Sequence, residues 1–336
     1  MEVLYSVNGK YFKPFGIYIS ESKGLFDKPK PKPRRSYDWA EYHGKVVDLS
    51  PIKYDERKIE LKGWIEGENW QQMVARFNLF MSEFEKEGLA RLIIDYGKEL
   101  VYDVYLDAHT ELEKTFREGS IVGIFTLKLS EPYPLKRVYK FVNYNDDDEF
   151  TMMGVINGHA TIIVNNDIYY SSYNTIDIDN ASLERNINDF YEGRNLITKI
   201  SNDVVLYNAG WRYFKLSQKL IEGETYILNG NVVDFNGISD FGLNNLGGFH
   251  ATLIHLPLEE PFVATAQMAQ RQYFSVANNT GSTAVQFKDF KLEKGHVATK
   301  WSNAPEDVHF ITLSGDLDKI TNLNISEGAE ILWETL

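Results

Sequence analysis

Helical periodicity is unmistakable at one place in this chain, and most of the remainder alternates. Between residues 69 and 87 apolar side chains fall at Trp70, Met73, Val74, Phe77, Phe80, Met81 and Phe84, the i, i+3, i+4, i+7 spacing of one buried stripe. Asn69 stands where an N-cap belongs and Gly88 where a left-handed C′ residue belongs, so both helix ends carry their chemical signals. Elsewhere the pattern is one of short period-two runs punctuated by Asn, Asp, Gly and Pro, which favours short strands and turns. The predicted fold class is mainly β. At 336 residues, two or three such units are expected.

In chain order, Val3, Tyr5 and Val7 precede an Asn8-Gly9 turn, and 12–19 continues as strand. Leu92, Ile93 and Ile94 run through Asp95-Tyr96-Gly97-Lys98 into a return strand at 101–106, and a further strand at 120–129 ends in EPYPL. The expectation is an N-terminal barrel or sandwich carrying one helix. Residues 150–178 alternate again and predict two or three strands. EGRNL at 192–196 opens a third region, with strands at 213–216, 226–233, 250–256, 272–276 and 284–292. The last of these closes the region. Val285, Phe287 and Phe290 alternate, Glu293-Lys294-Gly295 turns, and Trp301 leads to Pro305, which removes a ladder donor. Beyond Asp307, Phe310 and Thr312 with Ile331, Leu332 and Trp333 suggest a hairpin that returns to the 150–178 unit. The region between would then be an insertion in a discontinuous domain.

Two of these stretches carry a family likeness. The closing strand FKLEKG followed by ATKWSNAPED resembles the C-terminal edge of galactose-binding-like jelly rolls in phage tail and baseplate proteins. The order of strands, helix, hairpin and final strand running into SEPYPL, after HGKVVDLSPIKYDERKIELKGWIEG, is similar to the ring-forming N-terminal domain of siphophage distal tail proteins. The resemblance implies a ring domain over 1–140, a small galectin-like β domain over 141–190 and 308–336, and an inserted carbohydrate-binding jelly roll over 191–307. It also implies a hexameric ring between tail tube protein and tail-tip hub protein, located in the virion and assembled in the host cytoplasm. Host-surface glycans are the further partner it implies.

Charge and motif content narrow the alternatives. A net charge of −13 argues against broad nucleic-acid contact, which needs clustered cations to displace counterions. The basic run KPKPKPRR at 28–35 reads instead as a proline-stiffened exposed loop or subunit-contacting arm. There is no cysteine, so disulfides and thiolate metal sites are excluded. No apolar run has the length of a membrane span. The acidic turn YNDDDE at 144–149 lacks the spaced ligands of a calcium loop, and His250 and His255 have a spacing that puts them on opposite strand faces. No nucleophile elbow, zincin motif, P-loop or dinucleotide fingerprint occurs. No catalytic residue, metal or cofactor is predicted, and the chain is not read as an enzyme.

Aromatics are the better functional clue, because sugars stack their apolar faces on Trp or Tyr beside hydrogen-bonding side chains. Trp211, Arg212 and Tyr213 follow the turn Asn208-Ala209-Gly210, and Asn244 and Asn245 lie at a Gly-rich loop. These five are the candidate carbohydrate-binding residues. For Trp211 or Tyr213, filling the sandwich core is the favoured reading over sugar contact. The sequence therefore predicts a structural phage tail-tip protein that assists host adsorption. The alternatives it leaves open are a carbohydrate-binding accessory protein or glycan-active enzyme, and a baseplate protein of a contractile injection system.

Overall fold

The computed structural model describes residues 3–117, 120–144, 149–165, 167–171, 175–183, 185, 187, 191, 193–234, 239–247, 252–279, 284–326 and 328–333. Strands dominate, and among the described residues one α-helix, Trp70–Met81, exceeds four residues. The first sheet runs Lys10–Tyr11, Leu4–Val7, Ala90–Asp95, Glu99–Leu106, Ser120–Glu131, Arg57–Gly67, Ile17–Lys23, with Leu112–Arg117 paired to Ser120–Glu131. Its spine is the antiparallel ladder from Ile121↔Gly67 to Glu131↔Arg57. Along Arg57–Gly67 every second residue from Arg57 to Ile65 is buried, as period-two patterning requires. Of the barrel and sandwich expected here, the barrel does not form: among the described residues the strand order is open. The strands Lys10–Tyr11 and Ile17–Lys23 are joined by a 3-10 turn, Lys13–Phe15, instead of a ladder.

The helix lies on this sheet through the predicted stripe. Asn69 caps it by accepting the Gln72 N–H at 2.8 Å. Phe77 meets Phe125 with ring centroids 5.3 Å apart, and Phe80 meets Phe12 at 4.8 Å. Gly63 is required beneath it, since a Cβ there would stand 2.7 Å from both Phe125 and the Tyr18 carbonyl. The helix stops at Met81, six residues before the predicted end. Glu83 and Phe84 donate to Phe80 and Met81 three residues back, so the chain tightens into turns that still deliver Phe84 to the core. The same turns bury Glu83 against Lys10 at 2.8 Å.

A second body is built from a five-stranded sheet, Asp167–Ser171, Ala160–Val164, Val308–Gly315, Lys136–Val142, Glu330–Trp333, and a three-stranded one, Thr175–Asp179, Thr151–Ile156, Ile320–Ile325. Their shared core includes Phe141, Phe150, Met152, Ile162, Ile178 and Leu313. Chain beyond Asp307 thus supplies strands to both sheets. The expected hairpin does not form: Lys136–Val142 lies between Val308–Gly315 and Glu330–Trp333 and pairs with both.

First and second bodies are fused by buried contacts. Val101, Val138, Phe310 and Leu332 make a small apolar cluster. Beside it Arg57 binds Glu131 at 3.0 Å, and Lys136 bridges Glu131 while donating to the Val101 carbonyl at 2.5 Å. Arg91 binds Asp103 at 3.0 Å, and Asp103 also accepts from the Thr312 hydroxyl at 2.9 Å.

The third body is a pair of four-stranded antiparallel sheets. One runs Asp203–Leu206, Val285–Lys294, Thr225–Asp234, Pro261–Val263, and the other Gly210–Lys215, Tyr273–Asn278, Ser239–Asn244, Ile254–His255. Phe214, Leu228, Leu243, Phe274, Phe287 and Phe290 are among the residues filling the space between. Where the chain enters and leaves, it is clasped. Arg194 bridges Glu306, Asn195 donates to the Ser302 carbonyl at 3.0 Å, and Asp307 accepts the Lys199 N–H at 2.6 Å.

One segment leaves the body of the molecule. Every residue from 30 to 53 is exposed, and the only strands in it are the pair Ser36–Tyr37 and Val46–Val47. The segment contains most of the predicted arm at 28–35, except that Pro29 is buried and Pro31 bridges Tyr54.

Candidate ligand face

Strand register decides which predicted residues stand together. Paired residues of an antiparallel sheet share a face. Trp211, Ala277 and Asp240 form one row, and Tyr213, Ser275, Gly242 and His255 form the next. Phe214, Phe274, Leu243 and Ile254 lie in a row on the opposite, core-facing side. Trp211 and Tyr213 are therefore not core. They stand half-buried on the outer face, stacked at 6.3 Å between centroids with 22° between planes.

Beside this aromatic pair is a polar one. His255 Nδ1 lies 3.0 Å from Asp240 Oδ1, with the Asp240 side chain buried and that of His255 65% exposed. Two strand spacings separate the Trp211 and Asp240 positions, about 10 Å. Between the rows, a Cβ on Gly242 would fall 2.2 Å from the Ile254 carbonyl oxygen, so only glycine permits the close approach that carries His255 to this face. Ser275 is fully buried in the middle of the face, and among the described residues its Oγ has no hydrogen-bond partner.

The remaining predicted residues fall elsewhere. Arg212 belongs to the core-side row and leaves the sheet at its rim, with its guanidinium 6.0 Å from the Phe214 ring centroid. Asn244 is fully buried, and its Oδ1 accepts the Asn245 N–H and the Thr252 hydroxyl, both at 2.9 Å. It holds a loop at the far end of the sheet. Asn245 is exposed next to it. Asp240, Ser275 and His255 were not singled out as ligand-binding residues from sequence. Alternation within SDFGLN and YFSVAN gives Asp240 and Ser275 a face, but not the register that sets them and His255 beside Trp211. His250 lies outside the described residues.

Among the described residues, no group of three or more metal-ligating side chains is brought together. His309 is buried beside Phe141, and burial, together with Arg185, lowers its pKa to about 4. Asp307 is pushed up to about 7, chiefly by burial. Both belong to the region joining the second and third bodies.

No protein-family model matches the chain, and no curated protein matches it in sequence. Among solved structures it is similar to the Dit protein of phage SPP1, described as a paradigm of the hub adsorption apparatus in phages infecting Gram-positive bacteria. That likeness has 8% identity and a TM-score of 0.32, covering 87% of this chain and 99% of that one. It is also similar to the baseplate of phage p2 in its activated conformation. The strontium form gives 10% identity and the calcium form 11%, each with a TM-score of 0.31 and coverage of 94% of this chain and 99% of that one. Scores and identities at this level carry no weight for the fold or function of this chain.

Proposed function

We propose that this chain is a structural component of a phage tail tip that assembles with copies of itself into a ring and presents residues 191–307 outward for glycan contact. The observation that carries the reading is the arm. Tyr42 is 70% exposed and Leu49 84%, and Tyr37, Trp39, Val46 and Ile52 are exposed beside them. So much apolar surface on one projecting segment marks an association surface. The occupant is a second copy of this chain. The arm begins with the five cations of KPKPKPRR, while the chain as a whole carries −13, so the surface a neighbouring copy offers is complementary in charge.

The sequence likeness to distal tail proteins supplies the rest of the reading. Residues 1–140, up to the strand Lys136–Val142 with which the second body begins, would form the six-fold ring between tail tube and tail-tip hub proteins. Residues 141–190 and 308–336 would be the small discontinuous domain, and 191–307 the jelly-roll insertion. No bond is made or broken in this role. The stacked Trp211 and Tyr213, with Asp240 and His255 alongside, are the side chains on which we place glycan recognition. Stacking and a hydrogen-bonding edge within reach of one another are what a sugar requires.

Light scattering and electron microscopy of the full chain test assembly, with a six-fold ring as the expected result. The chain lacking 32–53 should remain folded and monomeric. A full chain that stays monomeric at all concentrations and in the assembled tail overturns the ring. Release of sugar from a polysaccharide panel would instead favour the glycan-active enzyme.

A further inference from the structure

We propose that the cleft where the three bodies meet binds a small oxyanion that also carries a hydroxyl, a group of the hydrogenphosphate class. The cleft has a volume of about 250 Å³. That is below the roughly 300–1,000 Å³ of pockets for drug-sized ligands, yet ample for a small ion with some of its water. Arg91, Asp95 and Glu99 of the first body line it, Lys140 and Phe310 of the second, and Lys300, Trp301 and Asn303 from the exit of the third. Arg185, from the connecting segment, completes the wall.

Among the polar atoms of these lining residues, Arg91 Nη2, Trp301 Nε1 and Asn303 Oδ1 are buried and meet no partner among the described residues. Arg91 is only 3% exposed. Its Nε is held by Asp103 at 3.0 Å and its guanidinium lies 5.0 Å from the Phe310 ring centroid, so the direction of Nη2 is fixed by packing. Leaving a buried guanidinium nitrogen and an indole N–H unanswered is costly, and Arg91, Trp301 and Asn303 all line this one cleft.

Charge and hydrogen-bond sense identify the class of ligand. Arg91, Lys140, Arg185 and Lys300 outnumber Asp95 and Glu99 on the walls, and Lys140 already engages Glu99 at 2.5 Å. An anion is therefore favoured. Arg91 and Trp301 offer only donors, which call for acceptor oxygens. Asn303 Oδ1 calls for a donor, which sulfate lacks and hydrogenphosphate supplies. A bound ion would touch all three bodies at once and fix their mutual orientation.

The test uses the full chain with inorganic phosphate and, at matched ionic strength, sulfate. Phosphate should broaden its own ³¹P resonance on adding protein and raise the melting temperature saturably in the millimolar range, with sulfate less effective. Trp301→Phe keeps the ring and removes the N–H, and Arg91→Lys keeps the charge and removes Nη2. Each should lose most of the phosphate-dependent shift. Should Arg91→Lys fail to fold for want of its Asp103 contact, Trp301→Phe alone decides. An unchanged ³¹P line width, or a phosphate shift in Trp301→Phe equal to that of the wild type, overturns the site. So does a non-saturating rise equal for both anions, which would be exclusion of salt from the protein surface.

Discussion

Phe80 has no solvent exposure and meets the rings of Phe12, Phe15, Phe77, Phe84 and Phe125. Phe80→Ala should cost about 3–5 kcal/mol in urea denaturation, the loss of transfer energy plus the cavity left behind. A cost under about 1 kcal/mol would mean that the stripe is not packed as described. Asp307 and His309 set a pH dependence in which two effects oppose. The folded chain holds the Asp307 proton up to about pH 7 against 3.8 unfolded, so this residue's contribution falls as pH rises from about 4 to 7. His309 stays neutral down to about pH 4 against 6.5 unfolded, so its contribution is lost as pH falls from 6.5 to 4. Asp307→Asn leaves only the second effect. Thermal melts across pH should show the variant more stable than wild type above pH 7 and losing stability steadily below 6.5. A variant profile parallel to wild type would remove Asp307 from the account.

At the scale of elements, the helix and the arm were both legible, for different reasons. The helix reports itself through period and caps. The six-residue error at its end arises because Ser82 to Glu85 continue as tight turns that preserve the apolar facing of Phe84 while abandoning the α ladder. In the arm, the side chains of 30–35 stay in solvent as expected while their backbone pairs across to 48–55, with the Lys32 N–H donating to the Lys53 carbonyl at 2.8 Å and the Asp55 N–H to the Lys30 carbonyl at 2.7 Å. Replacing Tyr42 and Leu49 together by Ser should leave the melting temperature unchanged, since both are exposed, and should weaken self-association in sedimentation experiments. An unchanged association would place the contact on another surface. Trp211 and Tyr213 were legible as residues of interest but not as a face, and Asp240 and His255 were missed as parts of it. Alternation gives two sides to every strand, and only the pairing of Gly210–Lys215 with Tyr273–Asn278, and of that strand with Ser239–Asn244, says which residues share one.

For the whole molecule, the clasp of Arg194 on Glu306 and the separate core of the third body lead to the expectation that residues 191–307 fold alone. Expressed by themselves they should melt in one cooperative transition, and a non-cooperative melt would tie their core to the rest of the chain. Trp211→Ala in the full chain should lower host-cell adsorption without altering assembly. Adsorption equal to wild type would keep the body and remove its glycan role. Sequence by itself determined the fold class, the single helical face, the exposed arm and a closing strand at 284–292, which the structure extends to Lys294, because each is written in local periodicity and turn chemistry. Tertiary structure alone decided three other matters. It interposed Lys136–Val142 between strands expected to pair with each other, turned Trp211 and Tyr213 away from the core, and brought Arg91, Trp301 and Asn303 to one cleft. All three depend on contacts between residues far apart in the chain, and no local pattern encodes the register of such contacts or the meeting of separate bodies.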